Sequence, residues 1–389
     1  MVEVLGETGY QDDATPEDGF SPDKPLAETA MLLHAAAACS DSSIRAQVDQ
    51  LAGRVAALAQ SHRTACAIAL YPTIAFQLAM PHILLTRLGR TDARLDGILA
   101  LSKQGHAQAG REVLPHRALE QLWLRDIAGE TARDTDFVAA ARASVLAHPV
   151  DLLWGARDDA YAHTHALMYL TDFGYAARPL PRPRDVVLAE SGALLARGLL
   201  LEDYDLCAEL VMAWPLTGAP WSPAAAFGFR VLAEFEDEIG YLSSGNGIPE
   251  RYERLAGEER RRYALAATYH TAFVMGIACA LALRPGRAPP ARFAGVAAPE
   301  ALAEALRRTI PDADTPWQRS YACLPAGERA ALAPFLVDMA LVAAARRHDH
   351  ACTAHVLGLA ARHGLTGAPA CGQAAELLGR LQACAGAPG

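Results

Sequence analysis

The apolar residues of this chain recur with the 3.6-residue period of an α-helix through almost every long segment. The alternation of apolar and polar residues that marks a half-buried strand is nearly absent. These patterns predict an all-α protein. Helices of about 12 to 20 residues joined by short loops favour antiparallel helical hairpins, arranged as an (α/α) toroid or as an irregular α-solenoid.

We expect three parts along the 389 residues. Residues 1–24 carry seven acidic residues against one lysine and have little apolar content, which predicts a disordered acidic tail. Residues 25–285 should form the main helical domain and hold the candidate site. A run rich in Pro and Gly at 284–295 predicts the boundary to a C-terminal helical segment, residues 286–389, packed on the same domain.

The charge balance limits the partners that the sequence predicts. The formal net charge is -9, most of it in the acidic tail, and the remaining body has no basic stripe. We therefore expect no nucleic acid and no membrane as a partner. A small-molecule substrate, or a protein partner such as a carrier protein, fits the sequence better.

Several features favour a cytoplasmic location. The eight cysteines include no C-x-x-C pair, which predicts neither a disulfide framework nor a four-cysteine zinc site. The first residues lack the pattern of a signal peptide. Two apolar runs, 64–86 and 263–283, have the length of a bilayer span, but polar residues interrupt both. We expect them to be inner helices of a protein that is soluble without detergent.

One segment stands out in a chain that is otherwise mostly Ala and Leu. Asp158 to Gly174 reads DDAYAHTHALMYLTDFG and is predicted to form one helix. Residues seven apart on a helix return to within about 20° of each other, so Asp158, His165 and Asp172 would share one stripe. His163 would lie on the opposite, apolar face. We therefore expect that the two histidines do not chelate one metal ion.

The stripe predicts a polar pocket for acid–base chemistry. A histidine beside a carboxylate is a common means of moving protons near neutral pH, because the carboxylate fixes the tautomer of the imidazole. The alternative is a hydrogen-bond network between helices, with Asp172 as a cap and the tyrosines as core residues. On the first hypothesis the catalytic residues are His165, Asp172, Tyr161 and His270, and the substrate-binding residues are Asp158, Tyr169 and Arg117.

Two of these assignments depend on other segments of the chain. His270 lies in the apolar helix predicted over 257–283, from which it would face the stripe; alternatively it bonds a backbone carbonyl. Arg117 follows Pro115 at the start of a helix, where a guanidinium would suit a phosphate, sulfate or carboxylate. A salt bridge to Glu120 or Glu112 is the interpretation that we prefer for Arg117.

The chain resembles an uncharacterised family of all-helical actinobacterial proteins found near natural-product biosynthesis genes. The resemblance depends on DAYAHTHALMYLTDFG, on EVLPHRALEQLWL at 112–124 and on YHTAFV at 269–274. It covers residues 26–285, and the family pattern approximates Y-A-L-T-H-x-L-F-Y-L-T-D-F-G. The family has an apolar residue where this chain has His163, so the resemblance favours His165 as the functional histidine. The resemblance implies specialised metabolism but no particular reaction.

Metal sites are expected to be absent, and we predict no cofactor. His348, Cys352 and His355 have helical i, i+4, i+7 spacing and could bind zinc, a minor alternative because the surrounding sequence is polar. The acidic run AEFEDEIG at 233–240 matches a magnesium-binding D-D-x-x-D pattern poorly and is typical of a solvated helix face. Motifs for nucleotide hydrolysis, dinucleotide binding, zincin proteolysis and α/β-hydrolase chemistry are absent from the sequence.

Three functions compete on these observations. The first is a lyase or cyclase of natural-product biosynthesis, with His165 as acid or base. One version closes a ring with loss of an anion such as sulfate, as in aziridine formation. The second is a non-catalytic helical scaffold that binds a peptide or carrier protein. The third is a terpene-cyclase-like toroid, which the low aromatic content of 7% and the lack of a D-x-D-D motif disfavour.

Overall fold

The computed structural model describes residues 23–106, 112–130, 133–240, 249–294 and 298–385. Over these ranges the regular structure is entirely helical, without a β-strand, which confirms the all-α prediction. The predicted acidic tail lies outside the described residues apart from Asp23 and Lys24, and both of these belong to the first helix.

The helices are numbered here in chain order. They are α1 Asp23–Ala36, α2 Ser42–Ala59, α3 His62–Leu70, α4 Ala75–Leu78, α5 Met80–Thr86, α6 Ala93–His106, α7 Pro115–Ile127, α8 Asp134–Ala143, α9 Arg157–Leu170, α10 Arg184–Leu200, α11 Tyr204–Val211, α12 Ala213–Thr217, α13 Pro223–Ile239, α14 Pro249–Arg254, α15 Gly257–Ala282, α16 Glu300–Thr309, α17 Pro316–Ala322, α18 Ala326–Ala331, α19 Ala333–Arg346, α20 His350–Arg362 and α21 Pro369–Ala385. Two short 3₁₀ turns cover Pro72–Ile74 and Val145–Ala147.

Side-chain caps fix several helix starts. Asp41 accepts hydrogen bonds from the amides of Ser43 and Ile44 at the start of α2. Ser222 accepts one from the amide of Ala225, and Pro223 occupies the first position of α13. These side-chain acceptors satisfy amides that have no partner within the helix.

The first apolar run, 64–86, is not one helix. Helix α3 ends at Leu70, a 3₁₀ turn begins at Pro72, and α5 has Pro81 at its second position. Proline has no backbone N–H and clashes with the preceding turn, so each proline interrupts the helical hydrogen bonds.

The chain divides into two compact units. Unit 1 comprises Met1–Ser144, Met168–Pro179 and Ser243–Ala288, and unit 2 comprises Val145–Leu167, Leu180–Leu242 and Pro289–Gly389. The last boundary falls in the predicted loop at 284–295. The division otherwise differs from a main domain over 25–285, because 145–167 and 180–242 group with the C-terminal segment. The sequence pattern does not mark the boundary after Leu167, which lies inside helix α9.

In unit 1, α1 packs against α15, α2 and α5, and α7 packs against α8. Gly276 lets α15 approach α1 closely, since a Cβ there would lie 3.1 Å from Leu32 Cδ1. In unit 2, α10 packs against α11, α13 and α19, and α19 also contacts α16, α20 and α21. Helix α19 is the inner helix of unit 2, because every residue from Phe335 to Ala345 is buried.

One helix of the described chain, α15, is long and apolar enough to cross a membrane on length and composition. Core helices of soluble proteins pass the same test. In the most apolar stretch of α15, 39% of the residues are buried inside the protein. The helix therefore has a packed face and a face that the chain leaves partly uncovered.

Candidate functional site

Helix α9 ends at Leu170, and the rest of the Asp158–Gly174 segment forms a turn. Asp172, Phe173 and Gly174 have consecutive positive φ angles of 47°, 50° and 79°. The prediction of one helix to Gly174 is therefore wrong at its C-terminal end, and Asp172 does not share a helical stripe with His165. A residue with a Cβ adopts positive φ only when its surroundings hold it there.

Arg284 connects the turn to α1 through one backbone carbonyl of each. Its guanidinium donates to the Phe173 carbonyl at 2.6 Å and to the Ala35 carbonyl at 2.9 Å, and the side chain is buried. The hydroxyl of Tyr175 donates to the carbonyl of His34 at 2.8 Å. These bonds fix the turn of unit 1 to the C-terminal end of α1.

The carboxylate of Asp172 is buried and accepts three hydrogen bonds. Trp123 Nε1 donates to Oδ1 at 2.6 Å, His34 Nε2 lies 3.0 Å from the same oxygen, and Arg87 donates to Oδ2 at 2.7 Å. We call His34, Arg87, Trp123 and Asp172 the Asp172 cluster. All four residues belong to unit 1.

The charges within the Asp172 cluster follow from its contacts. Burial opposes ionisation of Asp172, but the bond and charge of His34, the Trp123 bond and the Arg87 charge hold its pKa below the ordinary value. Burial lowers the pKa of His34, although Asp172 opposes that effect. Asp172 is thus ionised and His34 neutral, so His34 Nε2 carries the proton and donates it to Asp172.

A second buried carboxylate of unit 1 connects Tyr169 with Arg117. Both the Tyr169 hydroxyl, at 2.9 Å, and Arg117, at 2.7 Å, donate to Glu120 Oε1. Tyr169 also packs against Trp123, with ring centroids 5.2 Å apart. The preferred interpretation of Arg117, an ion pair with Glu120, is confirmed.

In unit 2, His165 lies beside a buried carboxylate from α11. His165 Nε2 is 3.4 Å from Glu209 Oε1, and the Thr164 hydroxyl donates to Glu209 Oε2 through a short hydrogen bond. The side chain of Glu209 is 2% exposed, whereas that of His165 is 24% exposed. The imidazole is therefore accessible from solvent, and its partner carboxylate is not.

Tyr161 contacts a second acid of α11, one turn before Glu209. Its hydroxyl donates to Asp205 Oδ2 at 2.5 Å, and the rings of Tyr161 and His165 are 6.0 Å apart. Burial first, and then the charge of Asp205, raise the pKa of Tyr161 far above its ordinary value. Tyr161 therefore acts as a hydrogen-bond donor rather than as a phenolate base. We call Tyr161, Thr164, His165, Asp205 and Glu209 the His165 cluster.

His163 lies in the core of unit 2, on a different side of α9 from His165. Its side chain is completely buried, and Nε2 is 2.9 Å from Ser191 Oγ. Ser191 donates its own proton to the Val187 carbonyl, so His163 Nε2 must carry the proton that lies between the two side chains. Burial, with the charge of Arg182, lowers the pKa of His163 to about 4. The predicted separation of the two histidines is confirmed.

The structure places the remaining predicted site residues elsewhere. His270 belongs to unit 1, where its Nδ1 lies 3.0 Å from Glu28 Oε1, and its side chain is 26% exposed. Asp158 is exposed at the start of α9 in unit 2. Asp172 and His270 therefore have separate acid–base partners within unit 1, and Tyr161 and His165 meet theirs in unit 2.

The spacing on which the zinc alternative depends is not present. Helix α20 begins only at His350, and Asp349 caps it. His348 precedes the helix with a φ of 56° and stacks on Trp154. It therefore does not share a helical face with Cys352 and His355. Within the part of the chain that the structure describes, no group of three or more His, Cys, Asp or Glu side chains is placed to hold a metal ion.

The acidic run on α13 has protein partners. Glu234 accepts from the Ser320 hydroxyl at 2.5 Å, and Glu238 accepts from Arg319 at 3.0 Å. These contacts agree with the expected solvated helix face, which carries surface hydrogen bonds and ion pairs.

The sequence interpretation missed the partners of both clusters. His34, Arg87 and Trp123 come from three other helical segments, and no short motif marks them. Asp205 and Glu209 gave a usable signal: two acids four residues apart in the apolar segment YDLCAELVMAW. Acids on a buried helix require partners, and the spacing places both on one face.

Comparison with protein-family models matches residues 5–280 to a family described as "Domain of unknown function (DUF6895)". No curated protein and no solved structure matches the chain.

Proposed function

The chain belongs to this family, Domain of unknown function (DUF6895), and from its own residues we propose that it is an enzyme that uses His165 and Glu209 for acid–base chemistry on a small molecule. The observation that carries the proposal is the placement of His165 Nε2 3.4 Å from a buried carboxylate, with the imidazole itself partly exposed. A general base needs access to its substrate and a partner that orients it, and this pair offers both.

The other groups of the His165 cluster support the same role. Thr164 fixes one oxygen of Glu209, which leaves the other oxygen for His165. Tyr161 remains protonated and holds Asp205 in place. A base whose neighbours are already held by hydrogen bonds needs little reorganisation during proton transfer.

The charge around His165 favours an amine-bearing substrate. Asp203, Asp205 and Glu209 lie within seven residues, and Arg157 donates two hydrogen bonds to Asp203 and lies 3.9 Å from Asp205. These neighbouring carboxylates favour the protonated amine of such a substrate.

A lyase or cyclase of natural-product biosynthesis fits this chemistry, in keeping with the sequence resemblance. In one version, an amine nitrogen attacks the neighbouring carbon, the carbon–oxygen bond to a sulfate breaks, and sulfate leaves with the bonding electron pair. His165 accepts the proton that the nitrogen loses. The product is an aziridine, and no external oxidant or reductant is required.

The test is sulfate release from 2-aminoethyl sulfate and larger amines that carry a neighbouring sulfate ester. We expect His165→Ala to lower the rate by about 10²–10⁴-fold, the usual contribution of a general base. Glu209→Gln should lower it less, since the imidazole remains. His163→Leu is the matched control and should keep the rate. Equal rates for His165→Ala and the unchanged protein would contradict the proposal.

A helical scaffold is the second candidate, and the Asp172 cluster favours it. Asp172 is buried and accepts three hydrogen bonds, which is the arrangement of a structural group. A scaffold would show no sulfate release and would keep its partner affinity in His165→Ala. Carrier-protein binding that survives His165→Ala, without turnover, would favour the scaffold.

A further inference from the structure

A cavity of about 810 Å³ lies in the C-terminal part of unit 2, and none of the residues discussed above for catalysis lines it. Its walls come from the end of α16, the segment that follows α16, helices α17 and α18, and the end of α19. Its volume lies within the range of about 300–1,000 Å³ that is typical of small-molecule sites.

The lining of the cavity is positively charged. Four arginines and two acids line it, a formal excess of two positive charges; the arginines are Arg307, Arg308, Arg329 and Arg347, and the acids are Glu304 and Asp312. The chain as a whole is acidic, with a formal net charge of -9. Glu300 lies next to the cavity as the partner of Arg329, so the local excess is smaller than the lining alone suggests but still favours an anion over a cation.

Two of these arginines have no carboxylate partner within the described residues. Arg308 donates to the backbone carbonyl of Glu304 at 3.3 Å, and Arg347 donates to that of Thr309 at 3.4 Å. The other two are paired: Arg307 with Asp312 at 2.8 Å, and Arg329 with Glu300. Arg308 and Arg347 thus keep donors for an anion, because a guanidinium carries five N–H groups.

One wall of the cavity holds a buried hydroxyl without a hydrogen-bond partner. Tyr321 lines the cavity, is 3% exposed, and its hydroxyl is unpaired in the described structure. A buried polar atom left unpaired costs free energy and calls for a ligand or a water molecule to complete it. Tyr321 thus places an unused hydrogen-bond donor at the wall of the cavity.

The segment that follows α16 is already ordered without a ligand. Gln318 donates to the carbonyl of Pro311 at 2.7 Å and accepts from the amide of Ala313 at 3.0 Å. These two bonds fix the segment between α16 and α17. A preformed wall lowers the entropy that a ligand would otherwise lose by ordering it.

We propose that this cavity binds a small molecule through a phosphate group, held by Arg308 and Arg347 and completed by the Tyr321 hydroxyl. Arginine recognises phosphate oxygens through paired N–H donors, and a neutral tyrosine adds a donor without adding charge. The assignment does not depend on His165, so the two proposals can fail separately.

The experiment is calorimetric titration with inorganic phosphate and with pyrophosphate, at constant ionic strength maintained with chloride. The protein should bind one equivalent of at least one of these anions. Arg308→Gln combined with Arg347→Gln should weaken binding by about tenfold or more, the loss expected for charge-assisted hydrogen bonds. Arg380→Gln, on the exposed face of α21, is the matched control and should bind as the unchanged protein does.

Tyr321→Phe separates a ligand role from a structural one. Removing an unpaired buried hydroxyl should leave the melting temperature unchanged or higher, yet weaken phosphate binding by about two- to tenfold. Unchanged phosphate affinity in Tyr321→Phe would show that the hydroxyl does not contact the anion, which would contradict that part of the proposal. Absence of saturable binding, equal affinity in the double arginine variant, or citrate binding as tightly as phosphate would overturn the proposal.

Discussion

His163 and His165 differ by one position in the chain and have opposite environments. His163 is completely buried beside Ser191, whereas His165 is partly exposed beside Glu209. The helix places the two side chains on different faces. The surroundings of each face determine the solvent access and the partner of its imidazole. An imidazole without solvent access stays neutral, and one that solvent reaches can exchange protons.

The low pKa of His163 predicts acid-sensitive stability. Its folded pKa of about 4 is below the ordinary value of 6.5, so the unfolded chain binds more protons between these pH values. Stability should therefore be lost as pH falls from about 6.5 to about 4. Between pH 7.5 and pH 5, the free energy of unfolding of His163→Leu should fall by about 2 kcal/mol less than that of the unchanged protein. Ser191 stays bonded to the Val187 carbonyl in this variant.

Urea unfolding at the two pH values measures this difference. The comparison is between the variant and the unchanged protein at each pH, so other titrating groups cancel. An identical pH dependence in both proteins would show that His163 is not buried in the neutral form.

Asp172→Asn tests the structural role of the Asp172 cluster. The carboxylate accepts from three donors, and an amide NH₂ would face one of them. We expect the variant to lose about 2–4 kcal/mol of stability, as for other broken buried pairs. Asp96→Asn is the matched control, since Asp96 also contacts a histidine but is 54% exposed. Asp96→Asn should lower the free energy of unfolding by no more than about 1 kcal/mol.

Thermal and urea unfolding of both variants provide the measurement. If Asp172→Asn lost no more stability than Asp96→Asn, the structural role of the Asp172 carboxylate would be contradicted. Sulfate release should persist in folded Asp172→Asn, because the proposed base is His165. Loss of turnover in a variant of unchanged stability would instead restore the catalytic assignment of Asp172.

At the scale of elements, the sequence predicts the features that depend on residues close together in the chain. The helical wheel separated His163 from His165 because α9 is regular over both positions. It failed at Asp172, because the chain leaves the helix after Leu170 and enters three residues of positive φ. The long-range bonds from Arg284 that accompany the turn come from a segment more than 100 residues away. A periodic pattern contains no information about such partners.

Helix α19 carries an acid where its pattern is otherwise apolar. Asp338 is buried and accepts from the amide of Ala370 near the start of α21. Burial raises the pKa of Asp338 to about 7, although this hydrogen bond opposes the rise. The acid therefore connects two elements of unit 2 and is partly protonated near neutral pH.

Asp338→Asn should remove a loss of stability at high pH. The folded pKa is above the ordinary value of 3.8, so the folded protein binds more protons between about pH 4 and pH 7. The free energy of unfolding of the unchanged protein should therefore fall by about 2.5 kcal/mol more than that of the variant between pH 5 and pH 8. The asparagine oxygen can still accept from Ala370. Parallel stability curves for the two proteins would contradict the raised pKa.

At the scale of the whole molecule, the sequence predicted the all-α class but not the division into units. Helical periodicity reports the class because each helix buries one face, whatever it packs against. Membership of a unit depends on which distant helices supply that packing. Unit 2 collects segments from three parts of the chain. The boundaries near Pro179, Leu242 and Ala288 fall at stretches rich in Pro and Gly, whereas those after Ser144 and Leu167 have no such mark in the sequence.

Among the described helices, α15 alone is long and apolar enough to cross a membrane. Near its middle, His270 contacts Glu28 of α1 at 3.0 Å, and Thr271, Val274 and Ile277 are buried. A bilayer would have to accept the polar His270 or separate it from its acid, and either is costly. We therefore expect the protein to remain in the supernatant after ultracentrifugation without detergent. Glu28→Ala should leave it there, since α15 keeps its packing against α1. Recovery in the membrane pellet after a carbonate wash would instead show that α15 spans the bilayer, and the interpretation of α15 as a packed helix of unit 1 would be wrong.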